Sequence, residues 1–116
     1  MSPALHDGRA TLTVPTGDIP LEIATSRRAR TRGLLGRDHL DGAILLSPCS
    51  SVHTLRMRFP IDIAYLTSGL RVLDVHTLPP NRIGRPRLRA RHVLEAADGA
   101  MATWGLAPGV FLQIGP

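Results

Sequence analysis

The stretch IDIAYLTSGLRVLDVHTL, residues 61–78, decides the fold class of this chain. It contains two apolar runs, Ile61–Thr67 and Leu70–Leu78, separated by the dipeptide Ser68-Gly69. A two-residue connection that contains glycine between two such runs is typical of a β-hairpin. We therefore predict a central hairpin over these residues and a sheet built around it.

Short apolar runs divided by turn residues continue on both sides of this hairpin. Further strands are predicted over Arg9–Val14, Ile19–Ala24, Ala43–Leu46, Val52–Met57 and Val110–Ile114, and one more within Arg87–Ala97, centred on His92–Glu95. Two short helices are predicted over Arg27–Arg32 and Ala100–Trp104. This pattern predicts a mainly β (or α+β) chain of about eight short strands and two short helices, folded as a sandwich or a barrel-like domain.

Length and composition agree with one domain over residues 1–116. The chain has 43% hydrophobic residues, which is too apolar for a disordered protein and enough for one modest core. Ten prolines and eleven glycines favour short strands joined by turns over long helices. Only four residues are aromatic, so the core is expected to be aliphatic.

The net charge of +5 raises the prior for a polyanionic partner. All fourteen basic residues are arginine, however, and phosphate binding has no physical need to exclude lysine, so nucleic acid is a weak expectation. Cys49 is the only cysteine, which rules out an intrachain disulfide. No run of eighteen apolar residues or leader-like N-terminus is present, so we expect a cytoplasmic protein without a membrane partner.

Five ordered motifs resemble a known family. They are RTRGLL at residues 30–35, GAILL at 42–46 and MRFPIDI at 57–63, followed by GLRV at 69–72 and VLE at 93–95. In this order they resemble the domain of unknown function 192 family, a group of small bacterial and archaeal domains. The resemblance implies a compact β fold. It implies no activity, because the family has none established.

Two carboxylates are candidates for chemistry. Asp62 stands among apolar neighbours, where an unpaired charge is costly, so it is either a structural acid that accepts hydrogen bonds or a ligand-binding or catalytic group. Glu95 shares a strand face with Val93 and forms either a surface ion pair with nearby arginines or, beside Asp62, an acid–base pair.

Polar residues gather between positions 52 and 62. His53, Arg56, Arg58 and Asp62, together with Glu95, are predicted to bind a polar or anionic partner near the central hairpin, in a domain without catalytic activity. The alternative is a small hydrolase, transferase or metal-binding enzyme that uses Asp62 with Glu95, or Cys49 with His53. No cofactor and no metal site are predicted, and the partner could be an anionic ligand or a protein.

A third candidate is the run Arg85-Pro86-Arg87-Leu88-Arg89-Ala90-Arg91. If this run is extended, its four arginines lie on one side and form an anion-binding stripe for a polyanion or nucleic acid. The stripe has no aromatic residues for base stacking. The competing interpretation is an edge strand whose charges prevent pairing with another sheet.

Overall fold

The structure is a computed structural model that describes residues 5–32, 37, 40–54 and 57–116. The predicted mainly β fold is confirmed, with seven strands and two short helices in the described residues. In chain order the elements are β1 Gly8–Val14, β2 Gly17–Ala24, α1 Arg27–Arg32, β3 Ala43–Leu46, β4 Ile61–Leu66, β5 Val72–Leu78, β6 His92–Ala97, α2 Ala100–Thr103 and β7 Gln113–Gly115.

All seven strands belong to one mixed sheet with the order β5-β4-β6-β3-β2-β1-β7. The predicted central hairpin is formed by β4 and β5, which pair antiparallel. Strands β2 and β3 are the parallel pair, because helix α1 carries the chain back between them. The remaining neighbours are antiparallel.

The segment that leads into β7 holds the two sides of the sheet near each other. Strand β7 pairs with β1, and the residues just before it pair with residues 70–72, where β5 begins. The Val72 amide donates to the Val110 carbonyl at 2.8 Å, and the Leu112 amide donates to the Leu70 carbonyl at 2.9 Å. One short segment can reach both edge strands only if the sheet curves strongly. The strands therefore form a curved sheet that stops short of a closed barrel.

Alternating side chains along each strand build one core on each face of the sheet. The inner core, on the concave face, includes Leu12, Leu21, Leu45, Ala64, Leu66, Leu94 and Met101. The outer core lies under the connection between β3 and β4 and includes Ile44, Val52, Ile61, Ile63, Tyr65 and Val93. Among the described residues, no helix is long and apolar enough to cross a membrane.

The predicted strand over Val52–Met57 is wrong for the residues that the structure describes. His53 forms a single antiparallel bridge with Ile83, and residues 52–54 are otherwise loop. The reason is a long-range contact: the Thr54 hydroxyl donates to the Pro79 carbonyl at 2.6 Å, so a side-chain bond and not a strand ladder holds this loop. Residues 55 and 56 lie outside the described range.

Candidate functional site

Asp62 is buried and satisfied by two structural hydrogen bonds. The Thr77 hydroxyl donates to Oδ1 at 2.6 Å, and the Met101 amide at the start of α2 donates to Oδ2 at 3.1 Å. The side chain is only 3% exposed. Its two oxygens thus join β4 to β5 and to α2, which is the structural role that the sequence left open.

Glu95 lies on the opposite face of the sheet from Asp62. In the pairing of β4 with β6, Glu95 is opposite Ile63, and Asp62 is opposite Ala96. Residues one position apart along a strand point to opposite faces, so the two carboxylates do not form an acid–base pair. Glu95 is buried beside the outer core, and this burial raises its pKa to about 7.

Cys49 and His53 lie in different environments. The Cys49 thiol packs against the outer core and donates to the Ser51 carbonyl at 2.9 Å, whereas His53 is exposed. Burial raises the pKa of Cys49, and the charge of Glu95 adds to this effect. A thiol that stays protonated is a poor nucleophile.

The remaining members of the predicted binding set are only partly visible. Arg58 is exposed, and Arg56 lies outside the described residues. In the part of the chain that the structure describes, no three His, Cys, Asp or Glu side chains are grouped to hold a metal ion. The structure therefore does not bring His53, Asp62 and Glu95 together in one site.

The predicted arginine stripe does not form, because residues 85–91 are not extended. The segment 82–91, called here the basic loop, contains a turn in which the Ala90 amide donates to the Arg87 carbonyl at 2.9 Å. Arg87 points inward: its guanidinium donates to Asp74 at 3.0 Å and lies 5.3 Å from the centre of the Tyr65 ring. Arg85, Arg89 and Arg91 are exposed.

A cavity of about 730 Å³ lies at one end of the curved sheet. Its walls come from strand ends and turns: Thr25 after β2, Ser47 and Pro48 after β3, Ser68 and Leu70 in the hairpin turn, Arg91 and His92 at the start of β6, and Leu5, Ile114, Gly115 and Pro116. Helix α2 follows the other end of β6 and covers the opposite end of the inner core with Met101. This cavity, called here the end cavity, therefore lies at the end of the inner core that α2 does not cover.

A buried serine–histidine pair is part of the cavity wall. Ser47 Oγ and His92 Nδ1 are 2.7 Å apart, and each residue is only 6% exposed. Burial lowers the pKa of His92, the backbone of Ser68 raises it through a hydrogen bond, and the charge of Arg91 lowers it again. His92 is thus neutral near pH 7. A neutral ring that donates from its other nitrogen to the Ser68 carbonyl accepts a hydrogen bond from the Ser47 hydroxyl at Nδ1.

The end cavity combines an apolar body with one charged side chain. Leucine, isoleucine and proline side chains supply most of its wall, and Arg91 has the one permanently charged side chain among the described lining residues. Ser47, Ser68 and Thr25 add hydroxyl groups. This arrangement suits a small molecule with an apolar chain and a single anionic end.

Sequence reasoning missed Ser47 and His92, which are separated by 45 positions. A weak signal was present. Ser47 directly follows the fully apolar strand β3, and His92 is the first residue of the mostly apolar strand β6. Because β3 and β6 pair antiparallel, with Leu46 opposite Val93, the two polar residues that flank this pair must meet.

Comparisons with known proteins agree with the fold and place the chain in a family. UPF0127 protein PH1112 of Pyrococcus horikoshii is 34% identical over 84 residues, which cover 68% of this chain and 73% of that protein. Two solved structures share the fold. One is a protein of unknown function from Novosphingobium aromaticivorans (TM-score 0.75, 22% identity, covering 97% of this chain and 93% of that one). The other is a protein provisionally named a transcription regulator, from Sinorhizobium meliloti (TM-score 0.77, 20% identity, covering 98% of each chain).

The model of the DUF192 family, described as uncharacterised, matches residues 10–114, nearly the whole chain. The ordered motifs of the sequence and this match agree. The chain therefore belongs to the DUF192 family.

Proposed function

We propose that this domain is a non-catalytic binding module that takes a small amphiphile with one anionic end into the end cavity. The observation that carries the proposal is the cavity itself, with its apolar wall and the charged side chain of Arg91. The expected class of partner, polar or anionic, is the one predicted from the sequence. Its location moves from the polar residues at 52–62 to the turn end of the same central hairpin.

The described polar groups support binding more than catalysis. The Cys49 thiol is held protonated, and Asp62 and Glu95 face opposite sides of the sheet. Ser47 and His92 satisfy each other inside the wall, which lets a buried polar pair stand beside an apolar ligand without a desolvation cost. Arg91 then supplies the attraction for a carboxylate or phosphate group.

Decanoate tests the proposal, with decanol as the uncharged probe that has the same chain length. Decanoate should raise the melting temperature of the protein. At a hundred times its dissociation constant the gain in unfolding free energy is about 2.7 kcal/mol. Arg91→Gln should weaken decanoate binding about tenfold or more, in the range of a charge-assisted hydrogen bond, and should leave decanol binding unchanged.

Two further variants distinguish binding in the cavity from binding elsewhere on the surface. Arg71→Gln removes an exposed arginine that does not line the cavity, and it should bind decanoate as the wild type does. Ile114→Trp should fill the cavity and weaken both probes, with its fold checked by circular dichroism. Decanoate binding that survives Ile114→Trp would place the site elsewhere. Hydrolysis of p-nitrophenyl decanoate that is lost in Ser47→Ala would contradict the non-catalytic assignment.

A further inference from the structure

The basic loop presents an apolar residue at its apex. In the turn Arg87-Leu88-Arg89-Ala90, the Ala90 amide bonds back to the Arg87 carbonyl, so Leu88 and Arg89 are the two central residues. The Leu88 side chain is 95% exposed, more than Ile83 at 75% or Phe111 at 66%. A leucine with almost no protein contact contributes nothing to the stability of the fold.

The loop is nevertheless anchored to the rest of the domain by hydrogen bonds. The Arg87 amide donates to the Ser50 carbonyl at 2.8 Å, the Tyr65 hydroxyl donates to the Arg85 carbonyl at 3.0 Å, and the Arg91 amide donates to the Leu66 carbonyl at 2.8 Å. The inward Arg87 side chain adds its ion pair with Asp74. Leu88 is therefore presented by a preorganised turn and is not the tip of a loosely attached loop, which reduces the entropy cost of binding through it.

The charged side chains that the basic loop itself carries have one sign. Between Asp74 and Glu95 the chain contains five arginines and no acidic residue. Arg82, Arg85, Arg89 and Arg91 are exposed. The partner that complements this surface is negatively charged and accepts a leucine into an apolar layer just beneath that charge. An anionic lipid surface has this arrangement, since its charged headgroups overlie hydrocarbon.

We propose that the basic loop docks the domain on anionic lipid surfaces, with Leu88 entering the headgroup boundary and Arg85 and Arg89 contacting the headgroups. Such contact needs no membrane-spanning segment. A nucleic acid fits the observations less well, because its phosphates give Leu88 no apolar layer and the loop has no aromatic residue to stack on bases. Leu88, Arg85 and Arg89 do not line the end cavity, so this contact does not depend on the ligand proposed there.

Sedimentation with vesicles tests this proposal on the full chain. Vesicles of phosphatidylserine and phosphatidylcholine in equal amounts should bind the protein at low salt, and vesicles of phosphatidylcholine alone should not. Binding should weaken as sodium chloride is raised. Leu88→Ser should lower the partition coefficient about tenfold or more. The double variant R85Q/R89Q should lower it about twenty-five-fold, from about fivefold for each arginine.

Matched controls make the result specific. Phe111→Ser removes an exposed apolar side chain outside the loop, and R27Q/R28Q removes two exposed arginines from α1. Both should bind vesicles within about twofold of the wild type, with unchanged circular dichroism spectra for all variants. The proposal is overturned if the wild type does not bind anionic vesicles at low salt. It is equally overturned if Leu88→Ser binds like the wild type, which would indicate a polyanion surface, or if the controls lose as much binding as the loop variants.

Discussion

Position 95 places a titratable carboxyl group in the wall of a core. Burial raises the pKa of Glu95 from 4.5 to about 7, so the folded protein holds this proton more tightly than the unfolded chain does. The favourable contribution is complete below pH 4.5 and is lost as the pH rises through about 7. His92 acts in the other direction. Its pKa is lowered, so its contribution is complete above pH 6.5 and is lost as the pH falls through the folded value.

Glu95→Gln should remove the first of these effects. The neutral amide cannot ionise, so the variant should gain stability relative to the wild type as the pH rises from 4.5 to 8. The interval from 4.5 to about 7 corresponds to about 3 kcal/mol at its upper limit. Urea unfolding of both proteins at matched pH values measures the difference, and His92 cancels because both proteins contain it. A difference that does not change with pH would show that Glu95 does not titrate in this range.

The sequence identified some individual residues of interest but not which of them lie together in space. Asp62 and Glu95 were recognisable because charged groups among apolar neighbours must be paired or shifted in pKa. Their placement on opposite faces of the sheet was not predictable, because it depends on the register between β4 and β6, and no local sequence pattern fixes that register. The contact between Ser47 and His92 was not predicted, because it exists only once β3 and β6 are paired.

The Asp62 side chain connects three secondary-structure elements, β4, β5 and α2. Asp62→Asn keeps the shape but places an amide group against one of two hydrogen-bond donors, Thr77 Oγ1 or the Met101 amide. We expect a loss of about 2–3 kcal/mol in unfolding free energy. Thr77→Val removes only one partner and should cost about 1 kcal/mol. Thermal or urea unfolding measures both values.

Decanoate binding is the second readout for these variants. It should be unchanged in Asp62→Asn, because this residue contacts α2, at the opposite end of the sheet from the cavity. A variant that keeps wild-type stability but no longer binds decanoate would instead give Asp62 a direct role in the site.

Most elements followed directly from the sequence. Strand β3 has the predicted bounds Ala43–Leu46, and helix α1 has the predicted bounds Arg27–Arg32. The strand prediction was wrong where side-chain contacts, and not the hydrogen bonds of a β-ladder, hold the backbone in place. Thr54 anchors the loop before β4, and Arg87 turns inward toward Asp74 and Tyr65. Both contacts are made with residues more than ten positions away, so alternation along the chain could not reveal them.

At the scale of the whole molecule, the two cores share one sheet. Along β4, Ala64 and Leu66 belong to the inner core, and Ile61, Ile63 and Tyr65 belong to the outer core. Neither core can come apart while the strands that carry the other stay paired. We expect a single cooperative unfolding transition.

The chain contains one natural probe for each core. Trp104 packs against the inner core, and the Cys49 thiol packs against the outer core. Tryptophan fluorescence and thiol labelling should give the same urea midpoint. Leu94→Ala in the inner core and Ile63→Ala in the outer core should each lower both midpoints together, for a loss of about 2–5 kcal/mol. Midpoints that separate, in the wild type or in either variant, would show that the cores unfold independently.

The short link formed by Val110 and Leu112 also bears on how the protein behaves at high concentration. An unpaired strand edge is a template on which another chain can add, and this is a common route to aggregation. Here Val72, the first residue of β5, is already paired with that link, and β7, at the far end of the sheet, is only three residues long. The part of β5 beyond the link carries Asp74 and His76, whose polarity discourages a second strand. The same curvature that shapes the end cavity thus leaves little edge on which copies of the chain could polymerise.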